Sequence, residues 1–471
     1  MINNTLPFVK DFVEDLDKEL KKLSPTAGLS KVQKWWLGFC ILSIALSNSV
    51  CWKKFERISF GTYTHSALSW MFRNSKIAWI FLLRASVRVI LSKYGITEGV
   101  LVLDDSDKKR SKSTKKIFKA HKIKDKGSGG YINGQSVVVL VLVSPLVTLP
   151  VGFDFYMPDP QLKAWEKKDK ELQKKGIKKK ERPPKPIRDE RYPKKKTIAL
   201  NLLREFRNYH PQIEVKCVVG DALYGTDSFV TEASEIFGGI QVVSKLKKNQ
   251  KIRFRGKELS VQEYFEKYSC TAQKIKIRGG EEVDCMIGSA RLHVPSHGKK
   301  RFVIAIKYEN DKEYRYLFGT DLSWRTLDIA QAYTLRWLVE VFFQDWKSYE
   351  GWGQLTKQPD EEGSSRGLIL SLLLDHCLLL HPEQLARLEN KLPACTVGSL
   401  QEITKIEVLF QFVQEVISAD NPEEELKLLA ERVKDIFQLA PSKKHMVNRN
   451  LGRLEQTPSL KYRAKIALSS T

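Results

Sequence analysis

Three acidic segments carry the chemistry open to this chain. One apolar run ends Val100-Leu-Val-Leu-Asp104-Asp105-Ser106-Asp107, and another ends Cys217-Val-Val-Gly-Asp221-Ala-Leu-Tyr-Gly225. Acidic side chains at the tip of an apolar strand are poor packing elements, so each tip reads as part of a site. The third segment is Tyr333-Thr-Leu-Arg336-Trp-Leu-Val-Glu340-Val-Phe-Phe-Gln-Asp-Trp-Lys347. Read as one helix at about 100° per residue, it sets Arg336, Glu340 and Lys347 on the same side as Tyr333. Leu335, Trp337, Leu338, Val341 and Phe342 fill much of the remainder and predict a largely buried helix. Charges on the stripe of such a helix cost desolvation energy unless they face a polar site, the plainer alternative being surface ion pairs.

If the strands ending at Asp104 and Asp221 are neighbours, their carboxylates lie side by side at the sheet's carboxyl edge. Glu340, from a helix packed across that edge, makes a third. Three carboxylates held so close repel one another unless divalent cations sit among them. Oxygen ligands without histidine or thiolate select hard cations, which means Mg²⁺ or Mn²⁺. Two ions roughly 3.5–4 Å apart suit in-line displacement at phosphorus, one activating the nucleophile and the other stabilising the leaving oxygen. Asp221 could instead cap the helix that begins near Thr226, and Asp104 or Asp105 could cap a turn. Successive strand residues point to opposite faces, so Asp104 and Asp105 are not expected to be ligands together.

The whole chain suits a polyanionic partner. Its 471 residues carry 79 lysines and arginines against 55 acidic residues, a net charge of +24, and such an excess points to nucleic acid far more than to membrane. The 42% apolar content is that of a globular protein with a large core. Seven scattered cysteines without a C-x-x-C pair fit reduced thiols and speak against a zinc module. The N-terminus lacks the basic-then-apolar order of a secretion signal. Val137 to Phe153 is uncharged but short, Val-rich and interrupted by Pro145 and Pro150, which predicts two buried strands and no membrane span.

Periodicity divides the chain. Residues 1–95 read as helices: Phe8, Phe12, Leu16 and Leu20 recur at helical spacing, and apolar helices follow at Val32–Leu46 and Ile77–Leu91. Between them, residues 50–73 suit either a helix-turn-helix with its turn at Gly61 or an ordinary bundle. Strands are expected at 99–103, 135–143, 148–155, 215–219 and 239–244, with helices at 196–208 and 226–236, a mixed α/β order that matches a ribonuclease-H-like sheet. Lysine-dense stretches interrupt it at 108–126 and 163–196. The second is low in complexity and reads as phosphate-contacting lysines or as a solvated helix plus linker. Residues 251–320 look β-rich, with strands at 274–278, 283–292, 301–308 and 314–320 and a hairpin turn at Gly279-Gly280. After Gly353 the chain is helical again.

These residues resemble the DDE transposases of bacterial insertion sequences, in the insertion-sequence-four-type branch. That branch carries Y-x2-R-x3-E-x6-K, matched by Tyr333, Arg336, Glu340 and Lys347. Its second aspartate sits in D-[AG]-x-[YF], matched by Asp221-Ala-Leu-Tyr224, and its first in a D-D-[TS]-like strand end, matched by Asp104-Asp105-Ser106. The resemblance covers about 98–355. It implies a ribonuclease-H-like catalytic domain at 96–250 and 321–355 with a Lys-rich insert at 157–196 and a β-rich insertion at 251–320. The helical regions at 1–95 and 356–471 would bind terminal repeats and make dimer or DNA contacts. Asp104, Asp221 and Glu340 would hold two Mg²⁺ or Mn²⁺ ions, with Asp105 as the alternative to Asp104. Tyr333, Arg336 and Lys347 would contact DNA, and Trp324 could stack on a flipped base. The partners implied are double-stranded DNA, as terminal inverted repeats and target, and a second copy of the chain on DNA. The setting implied is a bacterial cytoplasm, at the nucleoid. A nuclease or resolvase without strand transfer, or a domesticated DNA-binding protein, would share parts of this pattern.

Overall fold

Five helices open the chain: α1 (Pro7–Leu23), α2 (Lys31–Ser47), α3 (Trp52–Ile58), α4 (His65–Asn74) and α5 (Trp79–Lys93). In this computed structural model the described residues are 5–110, 114–125, 129–277 and 280–436. The four-residue spacing of α1 puts Phe8, Phe12, Leu16 and Leu20 on its buried face. A capping box of Ser30 and Gln33 starts α2, whose central residues are buried all round. Between α3 and α4 the chain turns through Phe60 and Gly61 with φ of 54° and 80°, the helix, turn, helix order expected there.

A mixed sheet follows. Its strands are β1 (Glu98–Lys109), β2 (His121–Lys124), β3 (Tyr131–Val143), β4 (Thr148–Tyr156), β5 (Glu214–Gly220) and β6 (Gln241–Leu246). Val137–Phe153 is therefore the β3–β4 hairpin. Neighbouring strands run β4–β3–β1–β5–β6, the first three antiparallel and the last two parallel to β1. The helices α6 (Pro160–Lys174), α7 (Lys195–Tyr209) and α8 (Asp227–Ile236) lie in the connections. Val100 to Leu103 and Val137 to Leu142 are fully or almost fully buried except Val100, as continuous apolar runs demand of strands covered on both faces.

The lysine-rich insert differs from a purely irregular tether. Asp159 caps α6 by accepting from Gln161 and Leu162 N–H at 2.8 and 3.2 Å, and the following segment folds back, with Trp165 Nε1 donating to Pro183 O at 2.9 Å. The β-rich block holds β7 (Lys251–Phe254), β8 (Lys257–Ser260), α9 (Val261–Lys267), β9 (Thr271–Lys276), β10 (Glu282–Val294), β11 (Lys299–Tyr308) and β12 (Arg315–Gly319). It is no separate layer: β12 pairs antiparallel with β6, so the sheet continues through β11, β10, β7 and β8 to twelve strands. The expected turn at Gly279-Gly280 falls partly outside the described residues, since Gly279 is not among them.

Helices α10 (Thr326–Thr334), α11 (Arg336–Ser348), α12 (Glu361–Leu379), α13 (Pro382–Glu389), α14 (Val397–Ile417) and α15 (Pro422–Ile436) complete the described chain. Helix α12 is almost wholly buried and packs on α1, α2, α4, α5 and α11, tying the N-terminal helices to α11 within the compact unit that ends at residue 415; α15 belongs to the second unit. Among the described residues no single helix is long and apolar enough to cross a membrane. All seven cysteines carry free thiols.

Candidate active site

Strands β1 and β5 are parallel neighbours in register, with Val102 opposite Val219 and Leu103 opposite Gly220. The next residue on each is an aspartate, Asp104 and Asp221. Their side by side placement thus follows from two apolar runs ending in step. Gly220 is required at this edge, because a Cβ there would lie 2.9 Å from Tyr224 Cβ. Asp221 turns its Oδ1 to the Leu223 N–H at 2.9 Å and holds the short turn at Ala222–Tyr224, so it starts a turn and does not cap α8, whose N-cap is Thr226.

Glu340 reaches this edge from α11, which packs on β1. Arg336 joins them: its Nη1 donates to Asp104 Oδ2 at 2.8 Å, across 232 residues of sequence, and its Nη2 donates to Glu340 Oε1. The second oxygen of Asp104 accepts from the Asp105 N–H at 2.8 Å. Burial, opposed by that bond and by Arg336, pushes the Asp104 carboxyl up to about 6, with Asp221 and Asp105 adding repulsion. Burial also raises Asp221, and Asp105 acts the same way. Arg336 is held above its ordinary value despite burial, since Tyr333, Asp104 and Glu340 all favour its charge.

Asp105 stands on the other face of β1. Its Oδ2 accepts from Lys195 Nζ at 2.6 Å, at the start of α7, and Lys195 lies 5.0 Å from the Tyr156 ring centroid. Asp104 is thus joined to α11 and Asp105 to α7, the opposite-face arrangement that strand alternation requires.

The segment 333–347 is not one helix. It breaks at Leu335, where Leu335 N–H bonds Ala332 O and Leu338 N–H bonds Leu335 O, and the Thr334 hydroxyl donates back to Gln331 O at 2.7 Å. A β-branched residue that back-bonds, followed by i to i−3 bonds, tightens the chain into a turn. Tyr333 therefore closes α10, its ring centroid 6.0 Å from Arg336 Cζ. Nor is α11 buried as expected. Its inward face is Val339, Phe342, Phe343 and Trp346, whereas Trp337 and Val341 are 45% and 40% exposed. Trp346 anchors it, stacking on Trp352 with centroids 4.9 Å apart and donating to Ser371 Oγ at 2.7 Å.

Lys347 is exposed at the far end of α11, over the Phe343 ring. Trp324 lies in the turn between β12 and α10. The open cavity beside the site, about 520 Å³, is lined by Tyr308, Arg315, Tyr333, Arg336 and Trp337 among others, and Trp324 is not in its wall. Sequence reasoning missed Lys195 because nothing local ties it to a strand 90 residues earlier.

Among the described residues no three His, Cys, Asp or Glu side chains stand close enough to hold a metal ion. The donor chemistry nevertheless fits a hard divalent cation. Two carboxylates end adjacent strands, and a third is drawn to the first by a guanidinium lodged between them, so positive charge is already what this edge requires.

Residues 57–268 match the family described as DDE superfamily endonuclease. That stretch holds Asp104, Asp105 and Asp221 and ends before Glu340. No curated protein matches. Among solved structures, the C-terminal lobe of a budding yeast Argonaute matches at 11% identity, over 70% of each chain and with a TM-score of 0.19, a superposition too loose to bear on this chain. The matched family supports a DDE-transposase-like relationship and an endonuclease-type activity on nucleic acid.

Proposed function

We propose that this chain is a DNA transposase of the insertion-sequence-four-type branch, built on a ribonuclease-H-like catalytic domain. It binds the terminal inverted repeats of its element, hydrolyses phosphodiesters to expose 3′-hydroxyls, and joins these to target DNA. The observation that carries the reading is the Arg336 link between Asp104 and Glu340, at the edge where Asp221 ends the neighbouring strand. Asp104 and Asp221 end adjacent strands and Arg336 ties Glu340 to Asp104, in a protein with a net charge of +24.

Mg²⁺ or Mn²⁺ held by Asp104, Asp221 and Glu340 would supply the Lewis acidity that activates water or a 3′-hydroxyl and stabilises the leaving oxygen. The chain's own residues do the positioning. Arg336 has two donor arms and can exchange carboxylate for phosphate oxygens in the same fork geometry. Tyr333, beside it, and Lys347, one end of α11 further, line the approach to the backbone. Asp105 is bound to Lys195 and keeps the start of α7 against β1. The helices of residues 1–95 are assigned to repeat recognition and those of 356–471 to dimer or DNA contacts, in a homodimer on DNA at the nucleoid.

Glu340→Gln tests the site. It is expected to abolish metal-dependent nicking of a labelled element end while leaving binding of that end within about twofold. Undiminished cutting would remove Glu340 from the site. A nuclease without strand transfer is the second reading, since the matched family is described only as an endonuclease. Pre-cut ends incubated with a target plasmid separate the two, because only a transposase yields joined products.

A further inference from the structure

Strand β1 continues beyond the carboxylates. Alternation places Asp104, Ser106, Lys108 and Arg110 on one face, with Asp105, Asp107 and Lys109 on the other. Burial agrees: Ser106 is 2% exposed and Lys108 and Arg110 are half-buried, whereas Asp107 and Lys109 are exposed. The face holding Asp104 is the one joined to α11, and Lys347 on that helix is close enough to act electrostatically on Lys108. Arg110 is fixed there, its Nη1 donating to Leu355 O at 2.8 Å and its Nη2 to Gln135 Oε1 at 3.3 Å.

Lys108 lacks a counter-charge among the described residues. Among the described residues the Lys108 ammonium has no hydrogen-bond or ion-pair partner, and the charges acting on it, Arg110 and Lys347, are both positive. Burial, with their repulsion, pulls its ammonium down to about 7. The Ser106 hydroxyl, buried one step along the same face, also lacks a partner among the described residues. Half-buried cations set together cost free energy unless an anion joins them.

We propose that Lys108, with Arg110, Lys347 and the Ser106 hydroxyl, forms an anion subsite that takes a backbone phosphate of the DNA strand flanking the one cleaved at Asp104. This rests on the transposase reading for the identity of the strand, but not for the chemistry of the anion. Four residue steps along the strand, about 13 Å, lie between Asp104 and Lys108, so the phosphate held is not the one cut. Ser106 stands between the two positions and can donate to either.

The test uses the full chain in two arms without metal. The first measures binding of a mixed-sequence DNA duplex between about 50 and 200 mM salt. Lys108→Gln should weaken binding several-fold across sequences and reduce the salt slope by about 1, with Lys108→Arg near wild type. Lys216→Gln, at the amino end of β5 and paired with Glu98 and Glu214, controls for net charge. An equal loss in that variant, or an unchanged slope in Lys108→Gln, overturns the subsite. The second arm measures thermal protection by inorganic tripolyphosphate. The wild type should be protected, whereas Lys108→Gln should melt no lower than wild type without anion and gain less with it. Protection that depends on Lys108, in a protein that fails to bind DNA, would keep the subsite and reject the transposase. Equal protection of both proteins would reject the subsite.

Discussion

With Arg336 in place, Asp104 and Glu340 share one delocalised charge, and any divalent ion entering beside Asp221 meets a carboxylate pair already bound. A divalent ion held by Asp104, Asp221 and Glu340, as proposed, would therefore compete with the guanidinium for the same oxygens. Arg336→Met removes the competitor. Without metal the variant should be less stable by about 1–2 kcal/mol, less than a fully buried pair would lose, because Glu340 is 39% exposed. With Mn²⁺ its melting temperature should rise more than that of the wild type, while DNA cutting should fall if, as proposed, the Arg336 fork holds phosphate. A smaller Mn²⁺ shift in the variant than in the wild type would show that Arg336 supports the metal ligands. Much of this constellation was legible at the residue scale: acidic tips on apolar runs, and the spacing of Arg336 from Glu340. The partners were not, because contacts such as Lys195 with Asp105 are set by the fold and leave no local periodicity.

Elements were legible where their period was strong. Long apolar strands and the amphipathic α1 emerge from spacing alone, but β7 and β8 are four polar-rich residues each and too short to show alternation. The break at Leu335 was hidden because residues at helical spacing, such as Tyr333, Arg336 and Glu340, continue on both sides of it. Composition likewise obscured order in the lysine-rich insert, where a cap and a fold-back rather than a core set the structure. Asp159→Ala should cost the start of α6 about 1 kcal/mol, seen as faster cutting within 160–188 by a lysine-specific protease. A bolder change follows from the Asp189 N–H, which donates to Asp159 Oδ2 at 3.0 Å and brings the ends of the insert together. Residues 161–188 can then be replaced by a short Gly-Ser linker without stretching β4 or reaching Lys195. That removes ten lysines and two arginines against four acidic residues. The fold should survive with a melting temperature within about 4 °C, whereas DNA affinity should fall across all sequences and its salt dependence flatten. An unchanged slope would mean that these lysines touch no phosphate.

At the scale of the larger unit, the sheet and the helices α1–α5 and α12 are held together by contacts between distant segments, and His376 lies at one such junction. From α12 it meets Ser86 of α5 and Pro150 of β4. Nε2–H donates to Pro150 O at 2.9 Å, which leaves Nδ1 to accept from the Ser86 hydroxyl. Both nitrogens are thus satisfied in the neutral ring. Nothing near residue 376 in the sequence announces this, since one histidine on an apolar helix has no periodic signature. Complete burial pulls its pKa down to about 4 from 6.5, and burial pulls His210 down to about 4 as well. The folded state therefore binds fewer protons than the unfolded chain between those values. The stabilisation is full above pH 6.5 and is lost as pH falls towards 4, amounting for His376 to roughly 3 kcal/mol. Urea midpoints of the wild type should accordingly decline between pH 7 and 4.5. In His376→Gln, which keeps an amide able to donate and accept but cannot titrate, the decline should be shallower by close to one proton. Its remaining slope belongs in part to His210, and parallel curves for the two proteins would show that the junction is not held by a neutral imidazole.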